Sequence, residues 1–222
     1  MTNSRTERGR SRVQERLMTT RVTLISPARS EALDEVRFED GGPLTPAGER
    51  TARSAAGELP AGARNFASPS ERCAQTARAL GLRDVATAGA AAGCAMGRWR
   101  GRTLEEVTAR EPEGVARWLS DPGSAPHGGE SVGQLVARTA RWLAELAEGS
   151  GPVVAVVEPD VVRAAVVCAL DAPARGLWRV DVEPLTATRL SGRSDRWNLR
   201  PGTGLGRAGG GGAGGGSGGS GV

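Results

Sequence analysis

A chain of 222 residues suits one domain of ordinary size plus tails, and its formal charge of +4 would by itself point to an anionic partner. The distribution excludes a specific nucleic-acid surface: residues 1–21 hold +4 and residues 199–222 hold +2, which leaves −2 for everything between. All 29 basic residues are arginine, so a Walker lysine or a Schiff-base lysine is excluded as well.

Residues 1–20 have no apolar periodicity and are expected to form a disordered basic extension, in which Met18 is an alternative translation start. "VTLI" follows as a continuous apolar strand that breaks at Ser26 and Pro27. "PLTPAGERTARSAAGEL" predicts a helix with Thr45 as N-cap and Pro46 in its first turn, where the missing N–H costs nothing. Next come a short strand, "RNFAS", and a helix, "PSERCAQTARALGL". Thr103 and Glu106 have capping-box spacing and open a further helix. In "ESVGQLVARTARWLAELAEG" the positions Val132, Leu135, Val136, Trp142, Leu143 and Leu146 make a helical stripe that Gly149 closes. "VVAVV" is apolar at every position, as a strand covered on both faces must be. A helix, "DVVRAAVVCALDAP", follows it, and "LWRVDVEPLTATRLSGRSDRW" reads as a hairpin at the sheet edge. Residues 200–222 are expected to be a disordered Gly/Ser-rich tail.

Strands alternating with helices over residues 21–199 predict an α/β fold, a three-layer αβα sandwich around a mostly parallel central sheet. In such sheets ligands bind at the carboxyl ends of the strands, here just after Ile25, Ala67 and Val157. Cys73, Cys94 and Cys168 are odd in number and form no C-x-x-C pair, the usage of reduced thiols. No apolar run nears the roughly 18–20 residues of a membrane span, and the start lacks the apolar stretch of a signal peptide. A soluble cytoplasmic protein, monomer or dimer, with no membrane partner and no cofactor, is expected.

The segments at those strand ends carry a resemblance. "SPSERCAQTARALGL" is close to "SPLRRARQTAEAL", "MGRWRGRTLEEV" to "FGxWEGxTxEEV", "HGGESVGQLVARTARWL" to the "PGGES" helix, and "VVAVVEPDVVRAAVVCAL" to "VLVVSHGGVIRALLAHLL". In that order they resemble the histidine phosphatase superfamily, which includes phosphoglycerate mutases and α-ribazole phosphatases. The resemblance implies the phosphoglycerate mutase-like form of the fold and places the phosphate-binding arginine at Arg72.

It also implies what is missing. The family's first strand ends in "RHG", whose His forms a phosphohistidine and whose Arg holds phosphate; the corresponding triplet here is Ser26-Pro27-Ala28. The family's acid falls on Gly93 and its second His on Glu158. Of the catalytic positions only Arg72 remains, so no catalytic residue of the family's kind is expected. Arg72 and Glu158 are expected to pair where phosphate once sat, the carboxylate standing in for the anion.

The leading expectation is therefore a pseudoenzyme whose former phosphate pocket, lined by Ser26, Arg29, Arg72, Cys94, His127, Glu158 and Asp160, binds a small molecule or a protein partner. Two other functions are weighed beside it. One is a phosphohydrolase acting on a small phosphorylated metabolite through a rebuilt site of Ser26, Glu158 and Arg72. The other is a metal-handling accessory protein using Cys94, Cys168, His127 and Glu158, although their spacing matches no dedicated metal site. His127, the only histidine, lies in a Gly/Pro loop and is expected to be solvated at the crevice rim. Trp99 and Trp118 are expected in the core or lining the groove, and Arg163 in a structural role.

Overall fold

A computed structural model describes residues 19–38, 41–57, 59–193 and 196–205. The expected basic extension and Gly/Ser tail lie outside these residues except at their inner ends. There the structure shifts one boundary: the last strand runs through Gly204, past the expected limit at 199, because Arg200 pairs with Arg189 and Thr203 with Ala187 across a ladder.

Six strands form one sheet: β1 (Thr20–Ile25), β2 (Arg64–Ala67), β3 (Ala86–Thr87), β4 (Val153–Val156), β5 (Thr186–Arg193) and β6 (Arg196–Gly204). Their order is β3-β2-β4-β1-β5-β6. β3, β2, β4 and β1 run parallel, whereas β5 and β6 are antiparallel additions at one edge. The helices are α1 (Glu31–Asp34), α2 (Pro46–Ser54), α3 (Glu71–Ala79), α4 (Leu104–Arg110), α5 (Pro112–Ser120), α6 (Val132–Glu148) and α7 (Pro159–Ala169).

The strand pleat divides the core into two layers. Val22, Leu24, Val153 and Ala155 face a cluster with α6 and α7, while Ile25, Val154 and Val156 face another with α3. All four residues of β4 are buried, as expected for a strand covered on both faces. Side chains close the helix starts as their sequences foretell. The hydroxyls of Thr45 and Ser70 accept from the N–H groups of Gly48 and Cys73, and Thr103 with Glu106 and Ser131 with Gln134 complete capping boxes.

One element differs from its sequence reading. The hairpin is formed by β5 and β6 alone, and Ala174–Arg179, expected to begin it, is a 3-10 helix. Leu177 is fully buried there and the Trp178 ring meets Trp118 edge-on, centroids 4.4 Å apart, so aromatic packing takes a segment whose composition suits a strand. Among the described residues no helix is long and apolar enough to cross a membrane.

Candidate functional site

β1, β2 and β4 end side by side, and the chain leaving each of them builds the candidate site. Parallel register sets Ala67 beside Val156 and Ile25 beside Val156 from the other side. The next backbone bonds, Ser68 N to Val156 O at 2.9 Å and Val157 N to Ile25 O at 2.9 Å, carry that alignment one residue further. Ser68, Ser26 and Glu158 therefore emerge at one edge of the sheet.

At its centre lies the expected pair. The Arg72 Nη2 donates to Glu158 Oε2 at 2.6 Å, and Nε donates to Oε2 at 2.9 Å and to Oε1 at 3.1 Å. Both side chains are shielded, 11% and 2% exposed, so the guanidinium is engaged by charge-assisted bonds in a water-poor setting. Arg72 also reaches the Ser30 hydroxyl at 3.4 Å, and the Cys73 thiol lies 3.6 Å from Glu158 Oε1. Burial, followed by the Glu158 charge, pushes the Cys73 thiol well above its ordinary range. The space left between Ser26, Pro27, Ser30, Arg72 and Pro159 is about 20 Å³, room for about one water molecule.

Ser26 is spent on structure. Its hydroxyl donates to Glu183 O at 2.5 Å and accepts from Thr186 N at 3.0 Å, and the residue is 1% exposed. These bonds tie the β1 end to the start of β5 and correct the expectation of a Ser26 nucleophile served by Glu158. Pro27 joins the same seam, its carbonyl accepting from Leu185 N at 3.3 Å. Leu185 itself holds a left-handed φ of 52°, strain of about 1–3 kcal/mol that its buried side chain and this seam sustain.

A second group meets at the start of α7. Asp160 accepts from Cys94 N at 2.5 Å and from Val161 N at 2.8 Å. Burial, with Glu158 adding like charge, raises the Asp160 carboxyl to about 6. The Cys94 thiol donates to Glu130 O at 3.2 Å and is pushed up to about 12 by burial and by Asp160 and Glu130, so it is an inert thiol. Gly93 lies against this group: a Cβ there would stand 3.1 Å from Glu158 Cγ and 3.6 Å from Asp160 Oδ1. The loop from Ala92 to Gly97, with Ser68, Ser70, Cys94 and Glu158, bounds an open cleft of about 600 Å³. That volume falls within the range of small-molecule sites.

Two expected pocket residues belong elsewhere. His127 is 1% exposed rather than solvated. Its ring lies 5.1 Å from that of Trp99, in an aromatic cluster with Phe38 and Trp118. Its Nδ1 accepts from Gly129 N at 3.0 Å, which puts the proton on Nε2, an atom with no partner. Burial and Arg98 lower its pKa, keeping the ring neutral. Arg29 is exposed and borders a separate groove of about 660 Å³ with Gly48, Thr51 and Leu205. Its backbone, not its guanidinium, is used locally: Arg29 O accepts from Thr45 N at 3.0 Å and sits where a Gly48 Cβ would come within 2.4 Å.

The thiols and acids weighed as metal ligands are not gathered. Cys168 points to Val136 O at 3.5 Å, and among the described residues no group of three or more His, Cys, Asp or Glu is arranged to hold a metal ion. Trp99 is fully buried, and Arg163 donates to Val180 O at 2.9 Å in a structural role. Residues that the sequence reading missed include Ser68, Ser30 and Glu183. Ser68 was signalled by its place directly after Ala67, a strand end already marked as crevice.

The profile of the histidine phosphatase superfamily (branch 1) matches residues 31–201. The bifunctional protein Rv2228c of Mycobacterium tuberculosis is 31% identical over 175 residues, 74% of this chain and 48% of that protein. The chain thus spans about half the length of the curated relatives it matches. Among solved structures, mycobacterial hydrolase 1 superposes with a TM-score of 0.72 at 26% identity, covering 83% of this chain and 98% of that one. Mycobacterial glucosyl-3-phosphoglycerate phosphatase Rv2419c in complex with VO3 gives a TM-score of 0.71 at 26% identity, with 81% and 96% covered.

Proposed function

The chain belongs to the histidine phosphatase superfamily, and from that membership we propose that it is a member without phosphatase or mutase activity, whose crevice binds a small molecule or a partner protein. The observation that carries this is the Arg72–Glu158 pair, in which the one arginine retained from the phosphate site already holds a carboxylate. Phosphoryl transfer depends on positioning and on positive charge around the equatorial oxygens. Each donor lost from such a site is commonly worth a factor of about 10²–10³, and Pro27 offers no lone pair to attack phosphorus. Glu158 adds repulsion, since a carboxylate within a few ångströms of a phosphate dianion opposes its entry.

Solved relatives include a glucosyl-3-phosphoglycerate phosphatase, which is the ground for the competing reading of a phosphohydrolase on a small phosphorylated metabolite. It is disfavoured here by the Ser26 hydroxyl, committed to Glu183 and Thr186. The free thiols of Cys73, Cys94 and Cys168 suit a reducing, cytoplasmic setting. Assays on p-nitrophenyl phosphate and on a panel of sugar and nucleotide phosphates are expected to give no turnover. Turnover that Arg72→Ala abolishes would overturn the proposal.

A further inference from the structure

We propose that the cleft beneath the Ala92–Gly97 loop receives a small organic ammonium group, held between the Ser68 hydroxyl and the Glu158 carboxylate. This rests on the reading of the chain as a binding protein without phosphatase chemistry and names the class of ligand.

The first ground is the sign of the charge. Where Ser26, Pro27 and Gly93 stand, no cation is present, and the single guanidinium at the floor, Arg72, is matched by Glu158. Asp160, whose Oδ1 would lie 3.6 Å from a Cβ on Gly93, adds a second carboxylate with no arginine printed against it at bonding distance. The start of α7, where an anion would otherwise be welcome, is already taken by Glu158 at the N-cap and Asp160 in the first turn. At the rim, exposed Glu71 and Arg100 balance one another. The floor is thus left with an excess of negative charge. Burial and these carboxylates together raise Cys73, Cys94 and Asp160 alike, as such a field requires.

The second ground is independent of charge. Ser68 lines the cleft, is 2% exposed, and its Oγ has no hydrogen-bond partner. Buried hydroxyls are normally satisfied, and a hydroxyl oxygen can accept from an N–H donor. The Glu158 oxygens retain lone pairs beyond those used by Arg72 and Cys73, since an ionised carboxylate offers about four acceptor sites. An ammonium supplies donors and no acceptor, the complement of this pair. The cleft of about 600 Å³ leaves room for the carbon skeleton that carries it.

The test uses the full chain and an isosteric set: putrescine as the dication, 1,4-butanediol as the neutral diol, succinate as the dianion. Inorganic phosphate, methylamine and ethanolamine extend the set. Calorimetric titration and thermal shift are expected to show binding by amines, with putrescine ahead of butanediol and no response to succinate or phosphate. Ser68→Ala should weaken amine binding by about tenfold while leaving the unfolding midpoint of the free protein unchanged, since the hydroxyl has no internal partner to lose. Binding by the diol as strong as by the diamine, preferential binding of succinate or phosphate, or no response to any amine would each overturn the ammonium assignment. Those outcomes leave the absence of phosphatase activity standing, which fails only if phosphate esters are turned over.

Discussion

Replacing Glu158 by alanine removes the carboxylate that holds Arg72 by three short contacts of 2.6, 2.9 and 3.1 Å. It leaves a guanidinium whose side chain is 11% exposed without its counter-charge. Breaking a buried pair from one side costs about 3–5 kcal/mol. For a domain of this size each kcal/mol moves the unfolding midpoint by about 2–4 °C, so Glu158→Ala should lower it by about 6–20 °C. The same change vacates the space of an anion. Inorganic phosphate should then stabilise the variant, by about 2.7 kcal/mol at a concentration of about 100 times Kd, while leaving the unaltered protein unmoved. Substituting both partners with apolar residues, Arg72→Met with Glu158→Leu, should recover most of the loss, because no unpaired charge remains. Thermal unfolding in graded phosphate and urea titration of the three proteins supply the measurements. The reasoning fails if Glu158→Ala is as stable as the unaltered protein, or if phosphate stabilises both equally.

Asp160 supplies a pH test: its native pKa of about 6 lies above the ordinary 3.8, so the native state binds more protons between those values. Stability should therefore be highest below pH 4, fall by about 1–3 kcal/mol as pH rises to about 6 and level off above. Asp160→Asn should flatten that part of the profile in urea titrations. Ser26→Ala should cost about 1–2 kcal/mol by orphaning Thr186 N–H, read in urea, with no change in phosphatase assays; an abolished activity would restore Ser26 as a nucleophile. Gly93→Glu, which reinstates an acid at the family's position, should destabilise by about 1–3 kcal/mol through its crowding of Glu158 and yield no turnover of p-nitrophenyl phosphate.

What could be read from the sequence was what is local. Thr45, Ser70, Thr103 and Ser131 cap helices through bonds three residues long, and the run Val153–Val156 needs only its own composition to declare a strand buried on both sides. Arg72 and Glu158 were matched across 86 residues only because the resemblance supplied the alignment. His127 escaped because its burial depends on Trp99 and Phe38, residues distant in sequence whose packing no loop composition foretells. Arg29 escaped for a related reason: proximity to the crevice in sequence says nothing about which side of the Ser26–Glu183 seam a side chain emerges on. Ser68 was adjacent to a marked strand end, yet an unpartnered hydroxyl is a property of three-dimensional surroundings and leaves no trace in the chain.

The closeness of Gly93 to Glu158 also bears on history. A Cβ at position 93 would sit 3.1 Å from Glu158 Cγ, so an acid cannot return to 93 while glutamate occupies 158. Histidine at 158 in turn would strip Arg72 of its counter-charge before any phosphate is held in place. Each single reversion meets a molecule adapted to the others, so the ancestral reaction is several simultaneous substitutions away. Selection acting one residue at a time has no downhill path back to it.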